Sequence, residues 1–152
     1  MKLLFVCTGN TCRSPLAEAI ARREAIGRGR EDIDVESAGT SAWDGAPASD
    51  GSLLVALERQ LDIGGHAARQ LTAALVLDAD VILTMGPHHL ERALALGGDG
   101  KAHVLTTFGN DTGDPAGVSD PFGGDLEDYR ATYEELHREI RRVFDVLPAR
   151  TA

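Results

Sequence analysis

The sequence predicts an α/β fold in three layers, a mostly parallel sheet with helices on both faces. Three observations carry this. Short apolar runs recur along the chain, segments of helical periodicity separate them, and Gly- or Asp-rich turns punctuate the two. The 152 residues, with 43% hydrophobic and 26% charged side chains, fit a single domain spanning 1–152 that buries an ordinary core without disulfides.

Lys2 to Val6 reads as a buried first strand, stopped at once by Gly9 and Asn10. Ser14-Pro15 then opens a helix, with Ser suited to the N-cap and Pro to the first helical position. Leu16, Ile20 and several alanines give it an apolar face, and Gly27 to Gly29 end it. Ile33 to Glu36 alternates like a second strand. Ser49-Asp50 can cap a helix in which Leu53, Leu54, Leu57 and Leu61 recur at helical spacing. Val81 to Met85 is the third strand and His103 to Leu105 the fourth, with a short helix around His89 to Leu96 between them. The last helix carries a continuous stripe of Tyr129, Tyr133, Leu136, Ile140, Val143 and Leu147, read as core packing. Two irregular stretches, Ala38 to Ala48 and Phe108 to Gly124, are long for so small a domain and are expected to be functional loops.

Net charge of −9 argues against a nucleic-acid binder and against attachment to an anionic membrane surface. The apolar start is too short for a signal peptide, and no run approaches the ~20 residues of a membrane span. With only Cys7 and Cys12, both in one loop, the expected compartment is the reducing cytoplasm, where such thiols are reactive rather than structural. The five histidines show no recurrent metal-ligand spacing, so neither a metal nor another cofactor is expected.

In α/β folds the ligand sits at the carboxyl ends of the strands, which directs attention to the loop after the first strand. It reads Cys7-Thr8-Gly9-Asn10-Thr11-Cys12-Arg13-Ser14-Pro15. A helix starting beside it points unpaired N–H groups and a positive dipole end into the loop. Gly9 and Asn10 tolerate left-handed backbone, so successive N–H groups can turn inward as an anion nest. Arg13 adds a planar fork able to hold two phosphate oxygens. The same positive field favours a nucleophilic sulfur at Cys7, and an anion held above it points to attack on phosphorus through a phosphocysteine intermediate. No G-x-x-x-x-G-K-[ST] sequence occurs, so this is not a nucleotide P-loop.

This segment resembles the C-x-G-N-x-C-R-S-P signature of the low-molecular-weight protein tyrosine phosphatase family. The likeness continues in order through Ser37-Ala38-Gly39-Thr40, His66 to Leu71, Ala79 to Met85 and Asp120-Pro121-Phe122, covering essentially the whole chain. The resemblance implies a four-stranded parallel sheet, with Cys7 as nucleophile, Arg13 as transition-state clamp and Asp120 as general acid. The residues alone leave Asp111, Asp114 and Asp125 as competitors for the acid; the resemblance at Asp120-Pro121-Phe122 selects Asp120. The resemblance further implies that Asn10 is held left-handed by Ser14, Ser37 and His66, and that the Ser14 hydroxyl faces the Cys7 sulfur. It implies that Cys12 can form a protective disulfide with Cys7. A low-pKa thiolate beside a resolving thiol fits that chemistry.

Two departures bear on substrate. The tyrosine-specific branch usually has Ile or Leu where this chain has Thr11, and two aromatics after Asp-Pro where this chain has Phe122 followed by Gly123-Gly124. Both features resemble the bacterial protein arginine phosphatase branch. From Asn110 to Asp128 there are six acids and no Lys or Arg, a rim able to receive a guanidinium. Trp43 is a candidate for the pocket entrance. The expected partners are therefore phosphorylated proteins, phosphoarginine first and phosphotyrosine second. An arsenate reductase would need a further cysteine after Cys12, which is missing. A non-enzymatic redox or phosphate-binding module is the alternative from a different class.

Overall fold

The computed structural model describes residues 1–149; residues 150–152, the end of the expected 1–152 domain, lie outside the described residues. Strand β1 (Lys2–Cys7) is buried from Leu3 to Cys7 and forms the centre of a fully parallel sheet. It is flanked by β2 (Asp34–Gly39) on one side and β3 (Val81–Thr84) on the other, and β4 (Ala102–Val104) pairs with β3. The strand order is therefore β2-β1-β3-β4. The connection from β1 runs to β2 on one side and that from β3 runs to β4 on the other, so a crevice opens between the carboxyl ends of β1 and β3.

Side chains along β1 alternate between two covered faces. Leu3, Phe5 and Cys7 face a core shared with Leu16 and Ile20 of α1 (Arg13–Gly27), Val55 of α2 (Asp50–Glu58) and Tyr133, Leu136 and Ile140 of α5 (Leu126–Val146). Leu4 and Val6 face the opposite layer, with Val76 of α3 (Ala73–Asp78) and Ala93 of α4 (Pro87–Ala95). Both faces are covered, which is why β1 is a continuous apolar run. Helix α5 starts with a capping box: Asp125 accepts from the Asp128 N–H, and the Asp128 carboxylate accepts from the Asp125 N–H.

The structure corrects several local expectations. Ser14 is not an N-cap: α1 begins at Arg13 after Cys12, and no side chain caps it. The Ser14 hydroxyl is occupied elsewhere, beside Cys7 and Asn10. In α2 the leucine repeat does not mark the buried face; Ser52, Val55 and Ala56 are buried while Leu54 and Leu57 stay exposed. Leu61 lies beyond the end of α2, and the short helix α3 was not visible in the sequence pattern. Strand β2 runs on to Gly39, and Leu105 belongs to a 3₁₀ turn rather than to β4.

That extension of β2 matters for the crevice. The register pairs Cys7 with Gly39, and a Cβ on Gly39 would lie 2.5 Å from the Thr8 carbonyl oxygen and 2.9 Å from the Asn10 nitrogen. Only glycine lets the end of β2 lie this close under the Cys7–Arg13 loop.

Candidate active site

The loop from Cys7 to Arg13 turns at Asn10, whose φ of 56° puts it in the left-handed region; Gly9, expected to share that conformation, does not. A fully buried Asn at positive φ needs compensation. Its side chain supplies it: Nδ2 donates to Ser14 Oγ (2.7 Å) and Ser37 Oγ (3.0 Å), while Oδ1 accepts from the Arg69 backbone N–H (2.9 Å). His66 Nε2 donates to the Asn10 carbonyl at 2.6 Å. Asn10, Ser14, Ser37 and His66 thus form one network around the turn.

This network has a direction. The Glu18 carboxylate can only accept, so Ser37 donates to it (2.9 Å) and receives from Asn10. Ser14 Oγ already receives from Asn10, which leaves its own hydrogen for Cys7 Sγ at 2.9 Å. Glu18 was not singled out from the sequence. It follows the S-P signature inside α1, and no local pattern reveals that β2 brings Ser37 to it.

Arg13 is buried at the first position of α1. Its Nη1 donates to the Val118 carbonyl (3.0 Å), which tethers the loop to the irregular segment before α5, and its Nη2 stands 3.5 Å from Asp120 Oδ2. The Asp120 side chain is half exposed, and its Oδ1 accepts from the Phe122 N–H at 3.1 Å. Cys7, Thr8, Gly9, Thr11, Cys12, Arg13, Asp120 and Phe122 line one pocket of about 210 Å³. Cys7, Arg13 and Asp120 are therefore brought together, with Thr11 and an exposed Phe122 at the same wall.

Cys12 is a buried part of the same lining, its Sγ 3.3 Å from Ser49 Oγ and 3.7 Å from Tyr129 Oη. Burial is the main cause that raises the Tyr129 pKa above its ordinary value; the Ser49 hydrogen bond opposes it, and the Cys12 hydrogen bond adds to it. Trp43 is 84% exposed and does not line the pocket. Asp111, Asp114 and Asp125 do not reach it either; Asp125 is committed to capping α5. A wider groove of about 910 Å³ lies behind the loop, and Glu18, Ser37 and His66 line it, so the network around Asn10 separates two cavities.

His89 is a neighbour that the sequence pattern marks only as the start of a short helix. It is fully buried at the start of α4, with Nε2 2.8 Å from Thr8 Oγ1. Burial first, then the neighbouring charges of His88 and Arg13, push its pKa down to about 3 against an opposing pull from Asp120, so the ring is neutral near pH 7.

A family model described as low molecular weight phosphotyrosine protein phosphatase matches residues 2–151. The chain belongs to that family. Like other low-molecular-weight phosphatases it is a hydrolase acting on phosphorylated proteins, with chemistry based on a cysteine. It is 39% identical over 137 residues to the low molecular weight protein-tyrosine-phosphatase PtpB of Staphylococcus haemolyticus, covering 90% of this chain and 92% of that one. It is 35% identical over 147 residues to the protein-arginine-phosphatase of Bacillus subtilis, covering 94% of each. Among solved structures, the YwlE arginine phosphatase mutant carrying a phosphorylated active-site serine superposes with a TM-score of 0.86 at 32% identity, over 95% of this chain and 94% of that one. The four-stranded parallel sheet and its helices are this family's fold.

Proposed function

We propose that the chain is a protein arginine phosphatase that hydrolyses phosphoarginine through a phosphocysteine on Cys7. The observation that carries the substrate choice is Thr11. It lines the pocket with Asp120 and Phe122, so a threonine stands beside the phosphate seat where a tyrosine phosphatase usually presents an aliphatic branch. A guanidinium is a flat array of N–H donors and takes a hydroxyl and a carboxylate as acceptors; a phenyl ring takes neither. The protein-arginine-phosphatase relative of 35% identity supports this reading.

In the first step Cys7 Sγ attacks phosphorus and an S–P bond forms as the P–N bond breaks. Arg13 and the N–H groups of the loop hold the phosphoryl oxygens where charge accumulates. Ser14, donating to Sγ, holds the sulfur in line. Asp120 delivers a proton to the departing guanidine nitrogen, then takes one from the water that attacks phosphorus and releases Cys7. A relative trapped with phosphate on an active-site serine is consistent with a covalent step of this kind. Cys12 lines the same pocket as Cys7, which supports a role in capturing a sulfenic acid on Cys7 as a disulfide and so making its oxidation reversible.

Phosphotyrosine is the second reading. It is favoured by the exposed Phe122 at the rim and by the tyrosine phosphatase relative at 39% identity. Thr11→Ile separates the two. It should lower kcat/KM for phosphoarginine peptides by about tenfold and raise it for phosphotyrosine peptides, since a polar contact left unpaired costs ~1–3 kcal/mol. If both activities fall together, Thr11 does not select the substrate.

A further inference from the structure

His89 contributes nothing to the chemistry proposed above, yet it is a fully buried imidazole whose one described hydrogen bond ends on the Cys7–Arg13 loop. Its Nδ1 is buried and has no hydrogen-bond partner among the described residues. Two tautomers are possible for a neutral ring. A proton on Nδ1 would bury an N–H donor with nothing to receive it. Orphaned N–H groups are rarer in folded proteins than under-used acceptors, so the proton belongs on Nε2. Nε2 then donates to Thr8 Oγ1, and the Thr8 hydroxyl must send its own hydrogen elsewhere. No described residue accepts that hydrogen, and Thr8 lines the pocket with Cys7 and Arg13.

We propose that His89 is a positioning residue: by donating Nε2–H to Thr8, it turns the Thr8 hydroxyl hydrogen into the pocket as a side-chain donor to the bound phosphoryl group. The proposal rests on the phosphate-binding role given to the loop. It also explains a cost. A buried ring with one idle nitrogen is an expensive way to fill the space under α4, and an apolar side chain would fill it without that penalty. The cost is offset if the ring fixes a functional hydroxyl. Tilted contact with His88, at 3.8 Å between ring centroids, limits rotation of the imidazole.

The test uses inorganic phosphate as a competitive inhibitor of aryl phosphate hydrolysis by the intact protein. Thr8→Val keeps the shape and removes the hydroxyl; His89→Leu removes the donor; His89→Gln retains an N–H near the position of Nε2. Thr8→Val and His89→Leu should each raise the phosphate inhibition constant by about tenfold, the scale of one hydrogen bond to a charged group. The double variant should raise it by the same factor rather than by the product, and His89→Gln should recover most of the loss. A merely structural His89 would give multiplying effects. Product-like behaviour, or an unchanged constant in Thr8→Val, overturns the proposal. Thr8 is exposed, so that arm is readable even if His89→Leu fails to fold. Wild-type protein that phosphate does not inhibit would instead refute the phosphate-binding role of the loop, and the inference with it.

Discussion

Residues 7–14 and residues 119–124 face each other across the pocket, and they are held very differently. In the first segment Cys7, Asn10, Arg13 and Ser14 are all buried, and strand β2, His66, Arg69 and His89 all bond to it. In the second, Asp120 is half exposed and Phe122 is 78% exposed, and the carboxylate's bonds are one to the next-but-one N–H and a long one to Arg13. The arm is pinned just before this stretch. The Val118 N–H donates to the Met85 carbonyl, and the Val118 carbonyl receives Arg13. Under the proposed function this contrast fits the chemistry: a rigid cradle suits a group that never changes, the phosphoryl oxygens, and a lightly held Asp120 suits leaving groups of different shape.

Breaking the arm should affect rate and leave stability alone. Asp120→Asn should slow phosphoarginine and other poor leaving groups by ~10²–10⁴-fold and activated aryl phosphates far less, because a weakly basic leaving group needs little protonation. Its unfolding free energy should stay within about 0.5 kcal/mol of wild type, as expected for a half-exposed side chain. Steady-state kinetics on the two substrate types, beside denaturant unfolding, checks both halves. Equal losses on the two substrates would place the acid elsewhere.

Breaking the cradle should do the opposite. Asn10→Ala loses three side-chain hydrogen bonds and leaves Ala at positive φ, so it should cost about 2–4 kcal/mol of stability as well as activity. Chemical denaturation measures this directly; a stability loss below about 1 kcal/mol would mean the network does not hold the turn.

The most gradual effect concerns acid. His89 in the native state takes up a proton only near pH 3, whereas in the unfolded chain it does so near 6.5. Between those values the unfolded state binds the extra proton, so stability falls as pH drops from 6.5 toward 3 and this contribution is constant above that window. The slope contributed is at most ~1.4 kcal/mol per pH unit. His89→Gln should flatten the acid limb of a stability-against-pH curve by a measurable part of that slope. Parallel curves for the two proteins would show that His89 does not supply it.

The same two regions explain what the sequence made legible. The cradle is local: strand, glycine, asparagine, arginine and helix start lie within nine residues, and the parallel sheet follows from the alternation of runs around them. Its supports are not local. Glu18 meets Ser37 and His89 meets Thr8 only because β2 and α4 arrive beside β1, and spacing in one chain does not encode such meetings. Local pattern alone reads Ser14 as a helix cap and only the family resemblance turns its hydroxyl toward Cys7, because its partners Asn10 and Cys7 outcompete the backbone N–H groups it usually serves. The leucine repeat locates α2 but not its buried face: Leu53 and Leu61 only edge the core, and Leu54 and Leu57 are exposed. Contact with α1 and α5 selects the small residues Ser52 and Ala56 for close approach. Asp114 is also followed by a proline, so only the family match at Asp120-Pro121-Phe122 separates Asp120 from the nearby aspartates; in the structure Asp120 is the one of the four that lines the pocket.

The central claim is that this cradle, with Thr11 in its wall, serves phosphoarginine. It is tested most directly by measuring kcat/KM of the wild-type protein on two peptides that differ only in carrying phosphoarginine or phosphotyrosine at the same position. The account predicts a preference for phosphoarginine of at least about tenfold, the discrimination expected from one polar contact of about 1.4 kcal/mol. Equal turnover, or a preference for phosphotyrosine, would contradict it.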